Sequence, residues 1–230
     1  MTLYEFKMHL KRFGFVKFLL RNRRNKEDNT KRDALKDDGR ALIIDIENAL
    51  KEMNIIFFAD YGTLLGIIRD HKFISWDNDL DYGLLIDDSF DWKRFEQELS
   101  KSGFRKVREF EFKGHVKEQT YAKGILTVDF FGHQNLQDKS MGLGFFRKEN
   151  YIYQSRNEFH VRKVEYVKIV DTKTVEFLGT TVHVPRNAEE YLESVYTKSW
   201  KIPDPKWSDD NNPNRNIEVL HELGRGTFYE

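Results

Sequence analysis

The four prolines of this 230-residue chain all lie late, at Pro185, Pro203, Pro205 and Pro213. Proline removes a backbone donor and disrupts helix interiors and sheet ladders. The long proline-free part before Pro185 can therefore form uninterrupted helices and a continuous sheet. A chain of this length makes one large domain, or one and a half, and can bury a sizeable core. Aromatic residues reach 14%, too many for a disordered polymer. There is no cysteine, which excludes disulfides, thiol nucleophiles and cysteine-ligated zinc. Lys plus Arg equals Asp plus Glu at 38 each, so the basic excess of a nucleic-acid binder is missing. No apolar run approaches the ~18 residues of a membrane span. Lys11, Arg12 and Lys17 interrupt the stretch that a signal peptide would need. The expected setting is the reducing cytoplasm.

The charge is unevenly spread. Residues 1–26 carry Lys7, Lys11, Arg12, Lys17, Arg21, Arg23, Arg24 and Lys26 against Glu5 alone. Leu3, Phe6, Leu10 and Phe13 follow helical spacing. An apolar stripe beside basic residues suits a helix lying on a membrane surface. A terminal helix docked on the protein's own core or on a second subunit fits the same residues, and Gly14 weakens a single continuous helix. Residues 21–38 are nearly all polar, which reads as a linker or as the exposed start of the next helix. Residues 1–34 are accordingly taken as a basic amphipathic segment with a polar linker. Residues 35–207 are taken as the catalytic domain and residues 208–230 as a surface tail, since Pro, Asn and Asp crowd the chain after 203.

Within the domain, Leu42, Ile46, Ala49, Leu50 and Met53 mark one face of a helix over about 36–53. The short apolar run 55–59 predicts a buried strand, and a turn over 60–63 leads into a short helix. Leu80 to Ile86 predicts a second strand. Asp88 or Ser89 can cap a helix over 89–101, and Gly103 can end it. The period then shifts towards two: 104–112, 115–121 and 124–131 predict an antiparallel meander. Residues 158–170 and 173–184 predict a hairpin, and 187–197 a helix. The fold class is α+β, a mixed sheet backed by helices with an added antiparallel hairpin and a C-terminal helix.

The chemistry concentrates in DYGTLLGIIRDHKFISWDNDLD, residues 60–81. Asp79 and Asp81 are two apart, so on a strand they share a face. Two carboxylates about 5 Å apart at an effective dielectric near 20 repel by roughly 3 kcal/mol. A divalent cation removes that conflict, and oxygen-only ligands suit magnesium; ordinary acidic turn residues are the plainer reading. Gly62 and Thr63 follow a strand and precede a helix, where backbone N–H groups and a hydroxyl can meet a phosphate. Asp129 interrupts the apolar strand 125–131 and needs a partner there. It reads as a third metal ligand, or as a strand-end carboxylate bound to a turn. Arg69 suits a diphosphate or an ion pair with Asp77 or Asp70. Trp76 can wall a nucleotide pocket or anchor packing. His71 reads as a turn residue, His133 as a solvated loop residue or an acceptor contact, and Trp200 as a core plug.

Gly62 to Gly66, Arg69, Trp76, Asp77, Asp79 and Asp81 together resemble the signature of the LicD family, which includes the fukutin-related transferases. Phe177-Leu178-Gly179, Val184-Pro185, Glu190-Tyr191-Leu192 and residues 196–203 resemble that family's closing segment. Thr197 stands where the family usually has glycine, Ser75 where it often has proline, and Asn78 where it often has a further Asp. The resemblance spans about residues 41–207.

It implies a nucleotidyltransferase-type fold whose active site comprises the Gly62-Thr63 turn, Asp79, Asp81 and Asp129. It implies a magnesium-dependent phosphotransferase, using two ions, that moves a phospho-alcohol from a CDP-activated donor and releases CMP. The acceptor is a hydroxyl of a cell-surface glycan or its lipid-linked precursor. Asp79, Asp81 and Asp129 would hold the metal, with Asp129 also a candidate general base. Gly62, Thr63, Arg69, Trp76 and Asp77 would bind substrate. A lipid-linked acceptor would give residues 1–26 a role at the inner membrane face. The alternative is a nucleotidyltransferase moving an NMP from an NTP with release of pyrophosphate. The carried alcohol stays open: Tyr82, Tyr121 and Tyr153 could cage choline, and polar groups over 113–123 could bind ribitol or glycerol.

Overall fold

The computed structural model describes residues 14–207 and 217–230, with side chains from residue 26 onward. Helix α1 (Gly14–Lys51) leads into strand β1 (Ile56–Ala59). The short helix α2 (Tyr61–Leu65) continues as a wider π-type turn over Gly66–Asp70. Strand β2 (Leu80–Leu85) and helix α3 (Trp92–Lys101) follow. The meander is β3 (Arg105–Phe112), β4 (His115–Lys123) and β5 (Leu126–Asn135). Then come β6 (Lys139–Phe146), β7 (Glu158–Val167), the hairpin β8 (Thr172–Phe177) and β9 (Thr180–Pro185), helix α4 (Ala188–Tyr196) and β10 (Ile217–Phe228). The class is α+β, as expected.

The main sheet runs β1-β2-β5-β4-β3-β10-β7-β6, and β5 also pairs with β6. Six strands therefore close on themselves, with β2 and β1 extending from β5. Only the β2–β5 pair is parallel among the described pairings; it needs a crossover, which α3, β3 and β4 supply.

Alternation sorts the strands' two faces. Leu80, Tyr82 and Leu84 of β2 and Val128 and Phe130 of β5 are fully buried. They join one core with Leu42, Ile43, Ile46 and Leu50 of α1 and with Trp92, Phe95 and Leu99 of α3. Phe95 meets Phe130 edge-on with ring centroids 5.1 Å apart. Asp81 and Asp129 point to the opposite face, the one covered by α2 and α4.

Several expectations change. The polar stretch 21–34 is helical, the second of the two readings, and lies within α1; from residue 26 onward its side chains find partners on the domain. Lys31 Nζ donates to Thr127 Oγ1 (3.2 Å), Arg32 Nε to the Trp76 carbonyl (2.9 Å), and Asn78 Nδ2 to Asp28 Oδ1 (3.0 Å). The proposed membrane stripe at Leu3 to Phe13 lies outside the described residues. The expected surface tail ends in an interior strand: β10 pairs with both β3 and β7. Its glycines hid it, since a Cβ on Gly226 would meet the rings of Phe159 at 2.7 Å and Phe110 at 2.8 Å. Residues 158–167 belong to the main sheet, so the hairpin is β8–β9. The cap of α3 is Asp91, whose Oδ1 accepts from the N–H groups of Lys93 and Arg94. Strand β6, with two glycines, carried no legible alternation. Among the described residues no helix is long and apolar enough to cross a membrane.

Candidate active site

Register brings the predicted carboxylates together. Asp81 of β2 lies opposite Asp129 of β5, Thr120 of β4 opposite Asp129, and Arg108 of β3 opposite Thr120. These four residues form one row across four strands. Arg108 Nη2 donates to Asp129 Oδ2 (2.7 Å) and its Nε to Thr120 Oγ1 (2.6 Å). The Thr120 hydroxyl donates to the other Asp129 oxygen. Both oxygens of Asp129 are thus held, as a buried carboxylate requires.

The turn before α2 serves the same row. Asp60 caps α2 by accepting from the Tyr61 N–H, and its own N–H donates to the Asp81 carbonyl (2.9 Å). The Gly62 N–H donates to Asp81 Oδ2 (3.2 Å), and the Asp81 N–H donates to Thr63 Oγ1 (2.8 Å). Gly62 is glycine for want of space: a Cβ there would sit 2.5 Å from Asp77 Oδ2. The Gly62 N–H and the Thr63 hydroxyl oxygen thus both serve Asp81, and the Thr63 O–H keeps its own proton to donate.

The site holds surplus negative charge. Burial pushes Asp77 up to about 6, opposed by Arg69 and Arg32. Burial, reinforced by Asp129 and Asp77, pushes Asp79 up to about 7. Asp81 is raised well above the usual carboxylate range by burial and by Asp79, Asp129 and Asp77. Glu118 of β4 is raised to about 8 by burial and by Asp129. Oxygen-only ligands with surplus negative charge fit a hard divalent cation; Arg108 and Lys31 offset the charge at Asp79 only in part. Among the described residues, no three acidic or imidazole groups already converge into a ready-made coordination shell. Asp129 is itself engaged by Arg108 and Thr120.

These groups line a cleft of about 540 Å³. Asp77, Asp79, Asp81 and Glu118 share it with Tyr61, Trp76, Phe131, Tyr196, Trp200 and Trp207. Trp76 is therefore a wall of the cleft. Arg69 reaches the cleft, but its Nε and Nη2 grip Asp70 at 2.8 and 2.7 Å and its Nη1 donates to the Trp200 carbonyl (3.3 Å). That is the ion pair weighed for it in the sequence. Trp200 is buried, as expected of a plug. His133 is not a loop residue: it is fully buried, with Nε2 2.7 Å from Asp60 Oδ2. His71 ends the π-type turn at φ 52°. Tyr82 and Tyr121 lie in the core and Tyr153 hydrogen-bonds His160, so these three do not form a cage.

Sequence reading missed Arg108, Thr120 and Glu118. Each stands at an even position of an alternating strand, which was the available signal. Their meeting with Asp129 depends on register, which alternation does not set. It also missed Asp28, Lys31 and Arg32, whose polar run concealed a helix docked on the Trp76–Asn78 loop.

Comparison with known proteins supplies the remaining finding. A family model described as "LicD/FKTN/FKRP, nucleotidyltransferase domain" matches residues 54–187. The ribitol-5-phosphate transferase FKTN of Mus musculus is 26% identical over 71% of this chain and 33% of its own length. The proteins of the same name from Macaca fascicularis and Homo sapiens are each 24% identical over 81% of this chain and 38% of theirs. The chain thus spans little more than a third of the curated relatives that it matches.

Proposed function

The chain belongs to the LicD family, and from that premise we propose that it is a phosphotransferase moving a phospho-alcohol from a CDP-activated donor to a hydroxyl, with CMP leaving. The observation that carries the reading is the row Asp81–Asp129–Thr120–Arg108, whose Asp81 lines, with Asp79, a cleft with aromatic walls. The relatives' name points to ribitol phosphate as the first carried group to test. The acceptor proposed is a glycan or its lipid-linked precursor.

Asp79 and Asp81 would hold magnesium, two ions if Asp129 is shared. The ion would draw charge from the diphosphate and assist departure of the CMP oxygen. The chain's own residues supply positioning. The Gly62 N–H holds one carboxylate oxygen of Asp81, and the Thr63 hydroxyl accepts from the Asp81 backbone N–H. Arg108 holds Asp129 through a charge-assisted hydrogen bond and brings a fixed positive charge to the row. The aromatic side chains shield the reacting phosphorus from water, which strengthens every electrostatic contact inside. Phosphoryl transfer depends mainly on such positioning and charge stabilisation.

The test is calorimetry with magnesium, titrating CDP-ribitol, CDP-glycerol, CDP-choline, CTP and ATP, with Asp79→Asn as control. Binding of a CDP-alcohol, lost in the variant, supports the reading and identifies the donor. Preference for CTP or ATP overturns it in favour of nucleotidyl transfer. A lipid-linked acceptor would place the enzyme peripherally at the inner membrane face through residues 1–26. Binding to anionic vesicles that survives their deletion removes that part.

A further inference from the structure

Glu118 stands out among the buried acids of the cleft. It lines the cavity, its residue exposure is only 6%, and no described residue donates a hydrogen bond to it; the Arg108 guanidinium acts on it as a nearby counter-charge. In the row itself Asp129 is held by Arg108 and Thr120, and one oxygen of Asp81 accepts from the Gly62 N–H. Glu118 lies on β4 two residues from Thr120, on the same face, with Phe131 as its register partner. A buried carboxyl group without a partner carries a large desolvation cost, and a protein that keeps one usually has an external group to meet it. The missing partner must be a donor that enters the cleft.

We propose that Glu118 is a substrate-binding residue whose carboxyl group accepts a hydrogen bond from a substrate hydroxyl beside Asp79 and Asp81. The proposal rests on the phosphotransferase reading and deepens it. Two hydroxyls have this chemistry: that of the attacking acceptor and those of the carried alcohol.

The experiment compares wild type, Glu118→Gln and Glu118→Ala, with magnesium, on two readouts. The first is calorimetric affinity for CDP-ribitol and for CDP-choline, which share the nucleotide and differ in hydroxyls. The second is CMP release from CDP-ribitol with glycerol as the hydroxyl probe. Loss of about ten-fold or more in CDP-ribitol affinity in Glu118→Ala, with CDP-choline unchanged, assigns Glu118 to the carried alcohol. Unchanged affinity for both, with CMP release down about ten-fold and the glycerol KM raised, assigns it to the attacking hydroxyl. Either result supports the proposal. Equal weakening of both donors, or no loss on either readout, overturns it. Thermal melting of Glu118→Gln controls for folding: this near-isosteric variant is expected to melt no lower than wild type, since it removes an unpaired buried acid. A wild type that binds neither CDP-alcohol and releases no CMP refutes the phosphotransferase reading, and this assignment with it. Wild-type turnover retained in both variants refutes the assignment alone.

Discussion

The two faces of strands β2 and β5 are made by alternate residues of one backbone, yet they obey different rules. On one face Leu80, Tyr82, Leu84, Val128 and Phe130 are dry and packed against α1 and α3. On the other, Asp81 and Asp129 lie side by side in a row of polar groups. The ladder hydrogen bonds are common to both, so they do not distinguish stability from function. The covering layer does: large apolar helix faces on one side, and on the other a short turn, α4 and a cleft. A substitution one residue along a strand therefore trades one kind of loss for the other.

The strongest test of this division uses both faces. Phe130→Ala should cost about 3–5 kcal/mol of stability, measured by urea unfolding, because it leaves a cavity among Tyr82, Phe95 and Tyr121. Asp79→Asn should instead remove magnesium-dependent nucleotide binding while leaving the metal-free chain at least as stable as wild type. An Asp79→Asn protein as unstable as Phe130→Ala would break the comparison.

A pH series sharpens it. Asp79 holds its proton up to about pH 7 in the folded chain, against about 3.8 for the ordinary group. Folding therefore takes up a proton between those values, and raising the pH opposes folding. The stability advantage of Asp79→Asn over wild type should grow from about pH 4 to about pH 7 and then level off. A gap that stays constant, or narrows, across that window would mean that Asp79 is not strained by its neighbours. Added magnesium should close the gap at high pH.

Smaller effects come from the turn and the covering segment. Gly62→Ala should cost about 1–3 kcal/mol, since its Cβ collides with Asp77; donor affinity should fall with it as Asp81 shifts. Thr197, beside the cleft residues Tyr196 and Ser199, has φ 72° and ψ 176°, a region that costs any residue but glycine about 1–3 kcal/mol. Thr197→Gly should raise the melting midpoint by the equivalent of about 1 kcal/mol, less than the strain itself because glycine loses more entropy on folding. That would explain why the family usually places glycine there. A lower midpoint would mean that the Thr197–Ser199 hydroxyl contact (2.9 Å) outweighs the strain.

Much of the apolar face was legible in advance. The run 55–59, the meander 104–131 and the helix at 187–197 follow from period and punctuation alone. Asp79, Asp81 and Asp129 were legible as a group because one signature holds the first two and the third breaks an apolar strand. The charged side of β3 and β4 was not. Arg108 and Glu118 alternate with other charged residues, and nothing local distinguishes a lysine in solvent from an arginine gripping a buried carboxylate. The polar helix 26–34 was hidden for the same reason: Asp28, Lys31 and Arg32 look solvated until their partners 44 to 96 positions away are known.

The sequence by itself determined many of the strands and helices between residues 36 and 197, that the chain carries the LicD signature, and that a pair of carboxylates two apart on a strand must share a face. Those features depend on neighbours a few residues away, where backbone geometry leaves little choice. Tertiary structure alone decided that β10 closes the sheet from the far end of the chain. It alone decided that Asp129 is held by Arg108, and that Glu118 lines the cleft without a hydrogen-bond donor among the described residues. These outcomes depend on strand register, and register is set by how many distant apolar contacts and close-packed glycines fit together at once.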